Sequence, residues 1–266
     1  MKKILSYLKV AARVEIRQQL VFRTNLFLGI IMIVLRVLIL IALWNALYIG
    51  KDLVDGIDLP TMRFYTVASI ILEILISANI ERGVSEKVKD GSIALMINRP
   101  ISYPGSVVLD QLAFTAQNFL LRIVPYTLIL LVSGIAFKAK VCLNLMFFAS
   151  VLMSYLLMLF YQMFFGFVSF WTQEISGLLE ARDVLLTVLS GSMIPLWFFP
   201  DWLRSVSYFL PFQAFYSTPL SILIGRLEGE EALWNILIQG AWLVLFAVLT
   251  AVFWHKARKR VFVNGG

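Results

Sequence analysis

Residues 24–48 read TNLFLGIIMIVLRVLILIALWNALY, an apolar run of 25 residues with a single charge, Arg36. As a helix rising 1.5 Å per residue, such a run more than covers the roughly 30 Å of bilayer hydrocarbon. The pattern recurs: comparable spans are predicted at about 62–80, within 107–137, at about 141–171, from about 184 to near Pro200 after a short loop TQEISGLLEARD, and at about 233–254. Hydrocarbon offers no water to unpaired backbone groups, so helices that satisfy their own N–H and C=O groups are the expected solution. The sequence therefore predicts an all-α polytopic membrane protein, one transmembrane domain over 1–266 with about six spans. The composition agrees, with 60% hydrophobic and 15% charged residues.

Before the first span, Ile4, Leu5, Leu8, Ala12, Ile16 and Leu20 fall near helical spacing, while Lys2, Lys3, Lys9, Arg13 and Arg17 take other directions. This predicts an amphipathic interfacial helix over 1–23. Glu15 and Arg17 arrive before any apolar core, so the basic start does not read as a cleaved signal peptide.

The formal charge of +7 gathers at the ends of the apolar runs. That distribution is a topology signal and argues against nucleic-acid binding. The N-terminal segment, the 81–105 loop with Arg82, Lys87, Lys89 and Arg99, and the 256–266 tail KARKRVFVNGG all belong inside; the acidic loop GKDLVDGIDLP belongs outside. Both basic ends can be cytoplasmic only with an even number of crossings. The apolar stretch 201–232, cut by Pro211 and Pro219 and preceded by Pro195 and Pro200, should therefore leave and return by the outer face as a re-entrant hairpin of two short helices. The last span, 233–255, follows it. The expected location is a bacterial plasma membrane, with membrane lipids as surroundings and both termini cytoplasmic.

Several chemistries are excluded by inventory. Cys142 is the only cysteine and His255 the only histidine, so no intrachain disulfide, no thiolate metal site and no metalloprotease ligand set is expected. Asp110, Asp183 and Asp201 sit at span ends without the pairing that an aspartyl intramembrane protease needs. There is no G-x-x-x-x-G-K-[ST], so the chain does not cradle nucleotide phosphates itself. No enzymatic activity and no bound cofactor are expected of this chain.

The run GSIALMINRPI at 91–101, the run PLWFFPDWL at 195–203, the segment LPFQAFYSTPLSILIG, the basic amphipathic start and about six spans together resemble the permease subunits of bacterial type-2 ABC exporters with separately encoded ATPases. The resemblance covers nearly the whole chain. It implies that the first inner loop forms a coupling helix, over 84–100, that docks on an ABC ATPase present in two copies. It implies that the ATPase binds ATP and Mg, that an outer hairpin helps close the exit, and that a second permease, identical or related, completes the path.

The residues support parts of this directly. A docking helix needs apolar knobs with charges at its edge, and Ile93, Leu95 and Met96, flanked by Glu86, Lys89, Asp90 and Arg99, supply both. Pro195, Trp197, Phe198, Phe199, Pro200, Phe209, Pro211 and Phe212 are candidates for the outer gate, with interfacial anchoring as the plainer reading of the aromatics. Arg36 and Glu73 are charges inside spans at similar depth, expected to pair and order the first two spans; Arg122 is the rival partner of Glu73. The aromatic run at 158–171 reads as packing, with Gly166 permitting close approach. Apolar walls with few fixed polar groups suit a hydrophobic or amphipathic substrate: a drug, lipid or peptide. A proton-coupled secondary transporter using Glu73 is the alternative.

Overall fold

The computed structural model describes residues 23–97, 102–124, 126–127, 141–172 and 174–264. The predicted interfacial helix, Arg99 and the predicted kink at Pro125 lie outside them. Among the described residues four helical segments are long and apolar enough to cross a membrane: Phe27–Leu47, Leu59–Lys89, Leu145–Val168 and Gly229–Arg260.

Helix α1 (Arg23–Leu47) leads into a short hairpin, β1 (Leu53–Val54) and β2 (Ile57–Asp58). Asp55 and Gly56 turn it with φ of 50° and 78°, the left-handed conformations that two-residue hairpin turns require and that Asp-Gly tolerates. Asp58 then caps α2 (Leu59–Ile76), its Oδ1 accepting from the Thr61 N–H at 3.2 Å, with Pro60 in the first turn, where no amide donor is needed. The chain breaks at 77–79 and resumes as α3 (Ile80–Lys89), followed by α4 (Ile93–Ile97) and α5 (Tyr103–Asn118). Helix α5 runs on into a π turn, Phe119–Ile123, in which the Val124 N–H bonds the Phe119 carbonyl.

The hub is α6 (Leu145–Val168), capped by Asn144, whose Oδ1 accepts from Phe147 N–H at 2.9 Å. It packs against α3, against α9 (Ser217–Leu223) and along α10 (Gly229–Asn264). Around Tyr161 the rings of Phe165, Phe215 and Phe246 stand 4.9, 5.1 and 5.0 Å away, all edge-on, so the aromatic run serves packing. At Gly166 a Cβ would meet the Glu81 Cα at 3.1 Å, so only glycine lets α3 come this close.

Two predicted boundaries change. The fifth span does not run from 184 to Pro200: α7 spans Ser176–Leu189 and starts within the segment read as a loop. The charges of EARD had suggested solvent, but Arg182 is buried and paired. Helix α7 ends at Gly191, whose φ of +79° breaks the helix. The last helix also does not stop at HKARKR but continues through it to Asn264. A 3-10 turn (Leu196–Phe198), α8 (Asp201–Phe209), a second 3-10 turn (Pro211–Ala214) and α9 fill the proline-rich stretch.

Contacts define two ends of the bundle. At one lie Asp55, Trp197 and Arg226: the Arg226 Nη1 donates to the Asp55 carbonyl at 3.0 Å and its guanidinium stacks 4.6 Å from the Trp197 ring. At the other, the basic end, Lys89 meets Glu174, Tyr103 meets Trp254 and Arg260 meets Trp171. The segment between Trp197 and Arg226 thus leaves and returns at the same end. Its middle goes deep, since Phe215 touches Tyr161, sixteen residues along α6 from Leu145 and about 24 Å down it at helical rise.

Candidate functional sites

At the basic end the expected single helix over 84–100 is two, α3 and α4, turned by Gly91 at φ +73°. Asp90 makes the turn: its Oδ1 accepts from the Ser92 N–H at 2.8 Å, and these Ser92 hydrogen bonds hold its carboxyl below the usual carboxylate range. The apolar knobs separate. Ile93 is buried, packing with Val84, Tyr103 and Val107, and cannot be an exposed docking residue. Met96 is half-buried against the same cluster, and Leu95 is 75% exposed. The sequence pattern could not choose among the three because α4 is barely one turn long, too short for its apolar face to be read from periodicity.

A groove of about 370 Å³ runs between α3 and the start of α7, lined by Arg82, Glu86, Lys89, Ser176, Leu179 and Glu180 among others. Lys89 Nζ bonds Glu174 Oε2 at 2.8 Å across it, and that hydrogen bond, with those from Ser176, pushes the Glu174 carboxyl down to about 2. Charges of both signs therefore border the groove.

Under the groove lies a charge cluster that sequence reasoning missed. Arg182 Nη2 donates to Glu81 Oε1 at 3.0 Å and to Asp183 Oδ1 at 2.6 Å, with the Arg182 and Glu81 side chains only 6% and 3% exposed. The guanidinium also lies 5.8 and 5.5 Å from the Tyr161 and Phe165 rings. The pair ties α3 to α7 with α6 between them. Glu81 Oε2 and Arg182 Nη1 stay enclosed without partners, so the pair is held at some cost in desolvation. The signal was faint: EARD follows two leucines and is followed by Val-Leu-Leu, apolar flanks that a solvated loop does not need.

Within the spans, Arg36 Nη1 bonds Glu73 Oε2 at 2.8 Å, joining α1 to α2, and both side chains keep about a third of their surface open, 33% and 38%. Arg122 sits half-buried in the π turn and makes no salt bridge among the described residues. For this pair, Glu73→Gln should lower thermal stability in detergent and Arg36→Gln should partly restore it. A double-mutant cycle should return a coupling of about 0.5–3 kcal/mol; simple additivity would show that the two charges act separately.

At the opposite end, Pro195, Trp197, Pro211 and Phe212 are buried, Phe198 and Phe199 are half-buried, and Pro200 and Phe209 are exposed. Trp197 packs edge-on to Tyr65 at 5.3 Å and Phe198 lies 5.4 Å from Trp44, so these two rings bind the hairpin stretch to α1 and α2. Trp202 and Phe209, 68% and 82% exposed on α8, are left for lipid or a partner. The broken backbone is satisfied by side chains. Tyr65 Oη donates to the Gly191 carbonyl at 2.8 Å and Ser69 Oγ to that of Ser192, while Ser154 Oγ at 2.9 Å and Gln239 Nε2 at 2.8 Å both donate to Ala214. Irregular backbone is tolerated at membrane depth where protein supplies such partners. Among the described residues no three His, Cys, Asp or Glu side chains converge as metal ligands.

These features define a helical, multi-pass membrane protein with a charged, structured loop at its basic end and a broken, protein-lined segment near the other. The sequence matches the profile of the ABC-2 family transporter protein over residues 30–265, and the chain belongs to that family. It is an ABC transporter permease located in a membrane, and membership implies an ATPase partner; the permeases of this family are typically non-catalytic membrane subunits. None of the curated proteins matches the chain.

Proposed function

We propose that the chain is the membrane half of a bacterial ABC exporter, paired with a second permease and driven by a separate ATPase docked on α3–α4. The observation that carries this reading is the exposed Leu95 on α4, the short helix that follows α3, which is itself one wall of a charge-edged groove. Arg182–Glu81 then joins the docking helix α3 to α7, and α7 runs directly into the Gly191 break and the proline-rich stretch. Motion imposed on α3 has a continuous packed route to the opposite end. Nucleotide would bind on the ATPase, with its Mg, and this chain would supply walls. The substrate is hydrophobic or amphipathic, and it leaves past Trp197–Phe212 at the outer face, with both termini inside.

Topology is tested by labelling in a Cys142→Ser background. Ser205→Cys, on the exposed face of α8, should react with an impermeant thiol reagent outside intact cells. Ser207→Cys should not, because Ser207 is fully buried with its Oγ bonded to the Leu203 carbonyl. Lys256→Cys should react only once the membrane is opened. A Lys256→Cys that labels in intact cells would place the tail outside and overturn the re-entrant reading.

A further inference from the structure

At the basic end a second cavity, of about 260 Å³, lies between α3 and α5. That is smaller than most drug-sized sites, so it suits a headgroup and not a whole lipid or drug. Lys87 and Tyr103 form its shallow part; Asn79, Asp110 and Gln111 form its deeper part. The order follows from the bonds that fix the two helices. Lys89 reaches Glu174 at the basic end, while Gln111 Nε2 donates to the Ser77 carbonyl at 3.0 Å, just before α3 begins. Tyr103 is 1% exposed, yet its enclosed hydroxyl has no hydrogen-bond partner among the described residues. The half-buried Lys87 holds its ammonium 5.9 Å from the centre of the Tyr103 ring and makes no salt bridge among the described residues.

Buried polar groups are almost always paired, so an enclosed phenol beside an uncommitted ammonium marks a place where an anionic acceptor belongs. A bare anion fits poorly because the Asp110 carboxylate shares the cavity, and a bare cation fits poorly because of Lys87. A neutral group would leave both charges unmet. A zwitterion meets both. Side chains of a helix lean towards its N-terminus, and α3 and α5 run in opposite directions here, so Lys87 leans deeper and Asp110 leans shallower. The two charges thus close on one small group. A carboxylate has about four acceptor positions, so Asp110 can take an ammonium N–H without giving up any other bond.

The surroundings favour a lipid over a soluble zwitterion. Tyr103 packs 5.5 Å from Trp254 and the Arg260 guanidinium lies 5.9 Å from Trp171; such aromatic and basic residues mark a membrane boundary. Ile80, Val84 and Val107 wall the cavity, and further along α5 and its π turn Leu112, Phe119 and Leu120 are exposed. We propose that the cavity holds the headgroup of a resident ethanolamine phospholipid of the inner leaflet. Its phosphodiester accepts from Lys87 Nζ and the Tyr103 hydroxyl, its primary ammonium faces Asp110, and its acyl chains lie along Leu112, Phe119 and Leu120. The inference goes beyond the exporter reading and takes from it only the placement of the basic end inside.

The full chain, purified in mild detergent without an ATPase, is titrated with dioleoyl phosphatidylethanolamine, phosphatidylcholine and phosphatidylglycerol and read by native mass spectrometry. One ethanolamine lipid per chain should be retained, about tenfold more tightly than the glycerol lipid, whose head has no cation for Asp110. It should also outlast the choline lipid, whose cation has no N–H to donate. Tyr103→Phe removes only an unpaired hydroxyl, so the thermal midpoint without lipid should hold or rise while binding of the ethanolamine lipid weakens about tenfold. Lys87→Gln should weaken it similarly, and Asp110→Asn should erase the preference over the glycerol lipid. Equal retention of the three lipids, full binding of the ethanolamine lipid by Tyr103→Phe or Lys87→Gln, or equally tight binding of free phosphoethanolamine would each overturn the proposal. Because neither an ATPase nor transport is measured, such a failure leaves the exporter reading standing; failure of an ATPase to associate leaves the lipid result standing.

Discussion

Arg182→Leu should destabilise the protein by roughly 3–5 kcal/mol, the largest stability effect expected of any single substitution here. Removing one partner of an enclosed pair leaves the other as an uncompensated buried charge. Glu81 is 2% exposed overall and its Oε2 already lacks a partner, so it would lose its one strong bond. The loss should show as a fall in the thermal midpoint in detergent and as aggregation at moderate temperature. Glu81→Gln combined with Arg182→Met should recover much of it, because a neutral, well-packed replacement avoids the desolvation that the ion pair suffers. If Arg182→Leu leaves the midpoint within the scatter of surface substitutions, the charges are hydrated in the membrane and do not hold α3 to α7.

The second large effect is expected in function. Leu95→Asp should cut association with the ATPase by at least about thirtyfold, since a central apolar contact of an interface is worth about 2 kcal/mol or more and a carboxylate there has no partner. Insertion and thermal stability should be nearly unchanged, because Leu95 is exposed. Ile93→Asp provides the contrast. It sits in the cluster with Val84 and Tyr103, so it should lower stability whether or not an ATPase is present. Should Leu95→Asp retain full association and transport, the partner's dock lies elsewhere, the α3–α7 groove being the next place to look.

The fold class and four of the predicted spans were legible because long apolar runs such as 24–48 carry their meaning in length alone. The segments that failed were those in which charge and depth disagree. EARD reads as a loop by composition, and only the fold brings Glu81, a hundred residues earlier, against Arg182. The same holds for Ile93. Its pattern with Leu95 and Met96 advertises an apolar patch, but a five-residue helix gives no period from which to say which side is buried. Proline marked correctly that 195–219 is no single helix, yet the actual stop to α7 is Gly191, and the partners of the broken backbone, Tyr65, Ser69, Ser154 and Gln239, come from three other helices. The pairing of Arg36 with Glu73 was expected from their equal depth, and the structure brings them to 2.8 Å. Sequence pattern reports what each residue prefers; sites such as the Arg182 cluster depend on long-range neighbours that preference does not encode.

The central claim is that this chain is a permease whose energy comes from a separate ATPase. The most direct measurement is affinity purification of the full chain from its native membrane in mild detergent, followed by identification of what accompanies it and an assay of ATP hydrolysis. The account predicts an ABC ATPase in equal number to the permease, retained by the unmodified chain and lost from Leu95→Asp. A chain that purifies without any ATPase and, once reconstituted, still moves substrate on a proton gradient alone would contradict it.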